Sequence, residues 1–181
     1  MGGARVLGLP CRDGAGACPD RGPAGGGGAG FQGPRPGRRP RRARAPRLDL
    51  LVHPGGSGTR GLVEDPDHLD WPRGLHERGT VLASVCTGSL VLAAAGLLSG
   101  RPATTHRDHL DRLAGLDPSI DVRRGPRFVD DGPVVTSARV SAGIDMALHL
   151  VARYDGPGAA ESTRSGIQYE ADPGPGPGPG A

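Results

Sequence analysis

A short apolar run passes into an Ala/Leu-rich stretch without a loop, and this junction restricts the fold of the 181-residue chain more than any other feature. Residues 81–85, Val-Leu-Ala-Ser-Val, have the pattern of a buried strand, and residues 87–97 that of a helix. Strands that lead into helices are typical of parallel sheets covered by helices. The junction therefore predicts an α/β fold with a strand-to-helix elbow at Cys86.

The sequence on either side of the elbow alternates in the same way. Further strands are predicted at 48–53, 103–105, 120–122, 127–129 and 134–137, and further helices at 67–78, 108–114 and 141–154. In the last helix, Ile144, Ala147, Leu148 and Val151 form the predicted inward face. Pro72 fits the helix at 67–78 only if it lies in the first turn. We expect a mostly parallel sheet with helices on both faces.

The two ends of the chain differ in composition from the middle. Residues 1–47 contain 13 of the 33 Gly, 7 of the 19 Pro and 10 of the 22 Arg, without apolar periodicity. Such a segment buries too little apolar surface to offset its ordering entropy. We therefore predict a disordered leader without strand or helix over 1–47, a folded domain over 48–170, and an extended Gly-Pro tail over 171–181.

The positive charge of the chain is concentrated in the leader. Residues 1–47 have 10 Arg and 2 acids, a net of +8, whereas residues 48–181 have 12 Arg and 17 acids, a net of −5. The run from Arg35 to Arg47 can bind phosphates through charge alone, but no helical or aromatic pattern organises it. We therefore do not expect a nucleic-acid partner.

The cysteines and the apolar runs indicate a cytoplasmic protein. Cys11, Cys18 and Cys86 form neither a CxxC pair nor a zinc-finger pattern, so we expect no disulfide framework, no metal and no cofactor. The longest apolar stretch, 90–98, is much shorter than the roughly 20 residues of a membrane span. The N-terminus lacks the continuous apolar region of a secretory signal. We expect no membrane partner.

Cys86 has two interpretations at the level of the residues. Small residues two positions before and after it, Ser84 and Gly88, allow a sharp turn that exposes its side chain above a helix N-terminus. That position stabilises a thiolate. A free cysteine can equally be a small buried apolar residue. The spacing alone leaves both interpretations open.

Four segments around the elbow resemble one protein superfamily. They are Pro-Gly-Gly-Ser-Gly-Thr-Arg at 54–60, Ser-Val-Cys-Thr-Gly at 84–88, Gly-Arg-Pro-Ala-Thr-Thr-His at 100–106, and Val-Ser-Ala-Gly-Ile-Asp at 140–145. Together, in this order, they resemble the ThiJ/PfpI superfamily and its isonitrile hydratase-like branch over residues 48–154. The resemblance implies a flavodoxin-like, class I glutamine amidotransferase-like α/β fold. In some AraC-type regulators the same domain is the ligand-sensing half.

The resemblance also implies roles for individual residues. Cys86 corresponds to the nucleophile, and Gly55, Gly56 and Thr87 correspond to substrate-binding residues. The backbone N–H groups of Gly56 and Thr87 would hold a developing anion. His106 corresponds to a histidine that approaches the cysteine and that can exchange a proton near neutral pH. The alternative for His106 is a polar residue at a strand end that is hydrogen-bonded to a turn.

Several positions have a structural interpretation or depart from the superfamily pattern. Ser141 is predicted as an N-cap, and Asp145 as a carboxylate in the first turns of that helix rather than a catalytic group. Arg139 stands where a glycine is usual, and Arg107 where an aromatic residue is usual. His53 replaces an apolar strand residue, and we interpret it as structural.

The resemblance implies an N-terminal βαβ unit that this chain lacks. In relatives, that unit contains an Asp-x-x-Gly-Pro-x-Glu-like segment whose carboxylates complete the cysteine site, and residues 1–47 contain no such segment. We therefore predict that the first βαβ unit is missing or degenerate. The sheet would then have an unpaired apolar edge that is prone to association, and catalysis would be weak or absent.

Three functions remain open from the sequence. The first is an enzyme of cysteine chemistry that adds water to an isonitrile or a related small electrophile. The second is a non-catalytic ligand-sensing domain, and the third is a truncated, inactive product. An amidotransferase is excluded because no His-x-Glu follows Cys86, and Thr87 stands where peptidases of the superfamily favour histidine. We expect a small-molecule substrate as partner and leave a homodimer open.

Overall fold

The computed structural model describes residues 6–8 and 47–170. Its strands are Val6–Gly8 (β1), Leu50–His53 (β2), Val81–Val85 (β3), Pro102–Ala103 (β4), Asp121–Val122 (β5), Phe128–Asp130 (β6) and Val134–Ser137 (β7). The main sheet has the order β1-β2-β3-β7-β6, in which only β6 runs antiparallel to its neighbour among the described strands. The strands β4 and β5 form a separate parallel pair.

Helices cover both faces of the main sheet. They are Thr59–Leu62 (α1), Pro66–Glu77 (α2), Gly88–Ala94 (α3), Leu110–Leu116 (α4), Val140–Asp155 (α5) and Pro157–Gly166 (α6). Successive strand residues face opposite sides, so Leu51 and Leu82 pack in the larger core with α2 and α3. Leu50 and Ala83 pack on the other face with α5. The predicted α/β fold, with a mostly parallel sheet between helices, is confirmed. Within the described ranges, no helix is long and apolar enough to span a bilayer.

The prediction of no strand within residues 1–47 is wrong at Val6–Gly8. This segment pairs in parallel with Leu50–Val52, so β2 has a neighbour on both sides and is not the unpaired edge that we expected. Three residues are too few to show a strand periodicity in a sequence, because the pairing partner, rather than the local pattern, specifies the strand. The other residues of the predicted leader and the tail at 171–181 lie outside the described residues.

The buried face of α5 differs from the predicted one. Ala142, Met146 and Leu150 are its buried residues, whereas Ala147 is exposed and Ile144, Leu148 and Val151 are only partly buried. The helix carries apolar side chains over more than one stripe, so periodicity alone did not select the face that contacts the sheet. The helix also begins earlier than expected, with Arg139 rather than Ser141 as its N-cap residue.

The helix α2 accommodates a proline in its interior. Asp65 caps the helix by accepting a hydrogen bond from the His68 N–H at 3.2 Å. Pro72 is the seventh residue of the helix, not part of the first turn as we required, and its ring is buried. Arg73 follows it and donates from Nε to the Ala95 carbonyl at 2.7 Å, at the C-terminal end of α3. A proline at this position removes one backbone hydrogen bond of α2. The buried ring and the hydrogen bond from Arg73 to α3 are the contacts that the helix makes here instead.

Two histidines connect β2 to α2. His53 is 1% exposed, and its Nδ1–H donates to the Pro54 carbonyl at 2.9 Å. A carbonyl only accepts, so the second ring nitrogen, Nε2, is the acceptor for the His68 Nε2–H at 3.0 Å. Trp71 lies beside the His68 ring, with centroids 6.4 Å apart. Burial lowers the pKa of His53 from 6.5 to about 4. This packing agrees with the structural interpretation of His53.

We expect the histidine pair to make the fold sensitive to acid. Because the pKa of His53 is lowered on folding, the unfolded chain binds the additional proton between pH 6.5 and about 4. The free energy of unfolding should therefore fall as the pH drops through this range, by up to about 3 kcal/mol from this group. In His53→Leu, the loss between pH 7 and pH 4.5, measured by urea unfolding, should be smaller by roughly 2 kcal/mol.

The quantity to compare is the slope of the free energy of unfolding with pH. The absolute stability of His53→Leu is not suitable, because the substitution leaves the His68 N–H without its acceptor at every pH. Val91→Ala removes buried core volume but no titratable group, so it provides the control and should retain the slope of the parent chain. Equal slopes for the parent chain and His53→Leu would contradict the assignment of this pH dependence to His53.

Candidate active site

Cys86 forms a strained turn between β3 and α3. Its φ is 55°, and it is one of two non-glycine residues with positive φ in the part of the chain that the structure describes. Its N–H donates to the Ser137 carbonyl of β7 at 2.9 Å. Its carbonyl accepts from the hydroxyls of Thr105 at 3.0 Å and Ser89 at 3.1 Å. Three neighbouring segments thus hold a conformation that costs a non-glycine residue energy, and the predicted elbow is confirmed.

Two glycines allow the loop after β2 to lie against the elbow. A Cβ at Gly55 would be 2.6 Å from the Val85 carbonyl oxygen and 2.9 Å from the Thr87 nitrogen. A Cβ at Gly88 would be 2.5 Å from the His53 carbonyl oxygen. The strands β2 and β3 are parallel neighbours, so their carboxyl ends meet at one sheet edge, where ligands bind in open α/β sheets. The two backbones form one side of the candidate site.

A pair of threonines occupies the space between this loop and the elbow. The Gly56 N–H donates to Thr87 Oγ1 at 2.9 Å, and the Thr59 hydroxyl donates to the Gly56 carbonyl at 2.8 Å. The two hydroxyl oxygens lie 3.2 Å apart and are almost fully buried. Of the two predicted anion-binding donors, Gly56 N–H is therefore already occupied. The Thr87 N–H has no acceptor among residues 47–170.

Thr59 is a site residue that the sequence analysis missed. It stands three positions after Gly56 and begins α1, a four-residue helix that was not predicted. A hydroxyl residue at the start of a short helical turn after Pro-Gly-Gly was the available signal, because such residues satisfy the backbone groups of a turn.

His106 is hydrogen-bonded to a turn, which was the alternative to a contact with the cysteine. Its Nδ1 accepts from the Asp108 N–H at 3.3 Å and caps the short 3₁₀ turn at 107–109. Its ring lies 6.0 Å from that of His109. Within the described residues, its side chain makes no hydrogen bond to Cys86. The neighbouring Thr105 contacts the elbow instead, through its hydroxyl.

The carboxylates of the described residues lie away from the cysteine. Asp145 pairs with Arg127 and accepts from the Tyr169 hydroxyl at 2.9 Å. Over residues 47–170, no carboxylate hydrogen-bonds to the thiol of Cys86, and no three His, Cys, Asp or Glu side chains form a metal-binding group. The described site thus offers a cysteine, backbone donors and hydroxyls.

Comparison with known proteins matches both the fold and the elbow sequence to one family. The model of the DJ-1/PfpI family matches residues 41–153. Isonitrile hydratase of Pseudomonas putida is 41% identical over 128 residues, which are 71% of this chain and 55% of that protein. The HTH-type transcriptional regulator CdhR of Pseudomonas aeruginosa is 42% identical over 108 residues, which are 60% of this chain and 31% of the regulator.

Solved structures agree with this match. A ThiJ/PfpI family protein from Pseudomonas syringae superposes with a TM-score of 0.65 at 36% identity, over 76% of this chain and 56% of that one. Drosophila melanogaster DJ-1beta has the same fold, with a TM-score of 0.62 at 23% identity, over 68% of this chain and 66% of that one. The chain spans little more than half the length of the isonitrile hydratase and the Pseudomonas syringae protein. With the family model covering most of its length, the chain belongs to the DJ-1/PfpI family.

Proposed function

We propose that this chain carries cysteine-centred chemistry of the isonitrile hydratase type, with Cys86 as the reacting group. The observation that supports this most is the strained elbow, where Cys86 has a φ of 55° and hydrogen bonds to β7 and to Thr105. Strained backbone maintained by several contacts is frequent at catalytic residues. The 41% identity to an isonitrile hydratase supports this class of reaction.

The proposed reaction adds one water molecule to the terminal carbon of an isonitrile. A carbon–oxygen bond forms, one proton goes to the carbon and one to the nitrogen, and the product is an N-substituted formamide. The attack comes either from the Cys86 thiolate, which water later displaces, or from a water that Cys86 activates. In both cases negative charge develops on the substrate, and oriented backbone donors stabilise such charge.

In this proposal, two backbone N–H groups beside the threonine pair stabilise the negative charge on the substrate. The Thr87 N–H is one donor, and the Gly56 N–H becomes the second when Thr87 Oγ1 turns from it towards the substrate. Thr59 then retains the loop conformation through the Gly56 carbonyl. For proton transfer we propose His106, whose Nε2 has no partner among residues 47–170 and whose Nδ1 is fixed by the turn.

A ligand-sensing domain is the second candidate function. The support for it is the match to CdhR, which is as high in identity as the match to the hydratase. In this function, the site formed by the Pro-Gly-Gly loop and the elbow binds a small molecule without converting it. The two functions differ in turnover, so product formation separates them.

Removing the thiol should abolish isonitrile hydration. The purified chain is incubated with cyclohexyl isonitrile, and N-cyclohexylformamide is quantified by mass spectrometry. We expect only slow formation of the formamide by the parent chain, in keeping with the predicted weak catalysis, and at least a hundredfold slower formation by Cys86→Ala, about the lower end of what a positioned catalytic group contributes. Cys18→Ala is the matched cysteine control and should retain the rate of the parent chain.

Undiminished turnover in Cys86→Ala would contradict the role of the cysteine. Binding of the isonitrile without formamide from the parent chain would contradict the enzyme and favour the sensing domain.

Adding a methyl group to the loop should disturb the elbow. In Gly55→Ala the new Cβ meets the Val85 backbone at 2.6 Å, which neither segment can relieve by a side-chain rotation. We expect a loss of about 1–3 kcal/mol in the free energy of unfolding and a changed rate of Cys86 alkylation by iodoacetamide. Gly61→Ala in α1, where a Cβ meets nothing within 4 Å, is the control. It should change stability by no more than about 0.5 kcal/mol. Equal effects of the two substitutions would rule out the close approach as their cause.

A further inference from the structure

An arginine-lined pocket lies beside the N-terminal end of α5. It has a volume of about 230 Å³, and its lining includes Arg107, Arg124, Arg127 and Arg139. None of the described residues that line it is acidic. We propose that this pocket is a binding site for one small oxyanion, of the carboxylate or phosphate class. The proposal is independent of the chemistry at Cys86.

The concentration of arginine in this pocket is not a consequence of composition. Residues 48–181 contain 12 Arg and 17 acids, so the average surface of the folded part is acidic. Four arginines and no acidic residue line this pocket among the described residues, so its lining is more positive than the rest of that surface.

The arginines are only partly neutralised by their neighbours. Arg124 contacts Asp111 at 2.7 Å, but this carboxylate is 91% exposed and lies in high dielectric, so the pair is weak. The same holds for Arg107, which is 3.4 Å from the exposed Asp108. Arg139 has no carboxylate partner within residues 47–170. The pocket therefore retains positive charge that an anion can neutralise.

Arg127 is the most firmly positioned of the four. Its Nε pairs with Asp145 and one terminal nitrogen donates to the Tyr169 hydroxyl at 3.3 Å. These contacts raise the pKa of Arg127 and orient its planar guanidinium, whose remaining N–H groups have no partner in the described chain. A positioned guanidinium is suited to bidentate binding of a carboxylate or phosphate.

The backbone of α5 adds donors to the same pocket. The helix has 16 residues and begins without a side-chain cap, since its N-cap residue, Arg139, has no side-chain oxygen. Its first four residues include no acid, and two of them, Ser141 and Ala142, line the pocket. The N–H groups of a first helical turn have no partner within the helix, and its dipole favours an anion. This contribution supplements the four arginines.

The pocket also indicates the size of its ligand. Its volume is sufficient for a phosphate or a short-chain carboxylate. Leu110 and Pro126 contribute apolar wall next to the arginines, which suits a few carbon atoms attached to the anionic group. Thr105 lines the pocket and also donates to the Cys86 carbonyl, so an occupied pocket lies against the backbone of the elbow.

The test is isothermal titration of the full chain with inorganic phosphate, with succinate and with the neutral analogue succinamide, at constant ionic strength set by chloride. We expect saturable binding of one phosphate or one succinate per chain and no binding of succinamide. Arg139→Gln and Arg124→Gln should each weaken binding at least tenfold, the usual effect of removing a hydrogen bond to a charged group. Arg164→Gln in α6, which pairs only with Glu161 among the described residues, should bind like the parent chain.

Two results would overturn the proposal. One is the absence of saturable binding of both anions. The other is binding that Arg139→Gln and Arg124→Gln leave unchanged, which would indicate non-specific attraction to other arginines of the chain. Thermal unfolding of each variant checks that it is folded, and if one variant is not, the other decides the outcome. A preference for phosphate or for succinate identifies the class of anion.

Discussion

The loop after β2 and the elbow after β3 touch through their backbones, and no side chain fits between them. Gly55 and Gly88 make this contact possible from the two sides, one on each segment. The contact brings the Pro-Gly-Gly loop, the threonine pair and Cys86 together at the carboxyl edge of the sheet. It also requires that β2 and β3 end at the same level, which their parallel, in-register pairing provides. The candidate site is thus a property of two adjacent strands rather than of one loop.

A strand, helix or turn could be predicted from the sequence where two local patterns indicated the same structure. The elbow is one of them, because an apolar strand pattern ends where an Ala/Leu-rich helix begins, and small residues flank Cys86. The strand Val6–Gly8 and the buried face of α5 could not be predicted. Three residues contain no period, and a helix that is apolar over several stripes does not indicate which stripe the sheet covers.

Some residues of the candidate site could likewise be predicted from the sequence, and others could not. Thr105 and His106 are adjacent, and no local pattern favours the threonine over the histidine as the residue that contacts the elbow. The structure selects it because its hydroxyl reaches the Cys86 carbonyl while His106 caps a turn. Arg107 and Arg139 were noticed as departures from a superfamily pattern, yet 32 positions separate them in the chain. Only the fold brings both to one pocket.

Thr105 belongs both to the lining of the pocket and to the contacts of the elbow. The four arginines come from the segments around α4, β6 and the start of α5, whereas the cysteine is held by β3, α3, β7 and the hydroxyl of Thr105. Within the described residues, none of the four arginines makes a hydrogen bond to Cys86. During divergence of a gene family, selection can exchange one ligand preference for another while the reactive residue is inherited unchanged. The separation gives natural variants of this domain two independently adjustable surfaces.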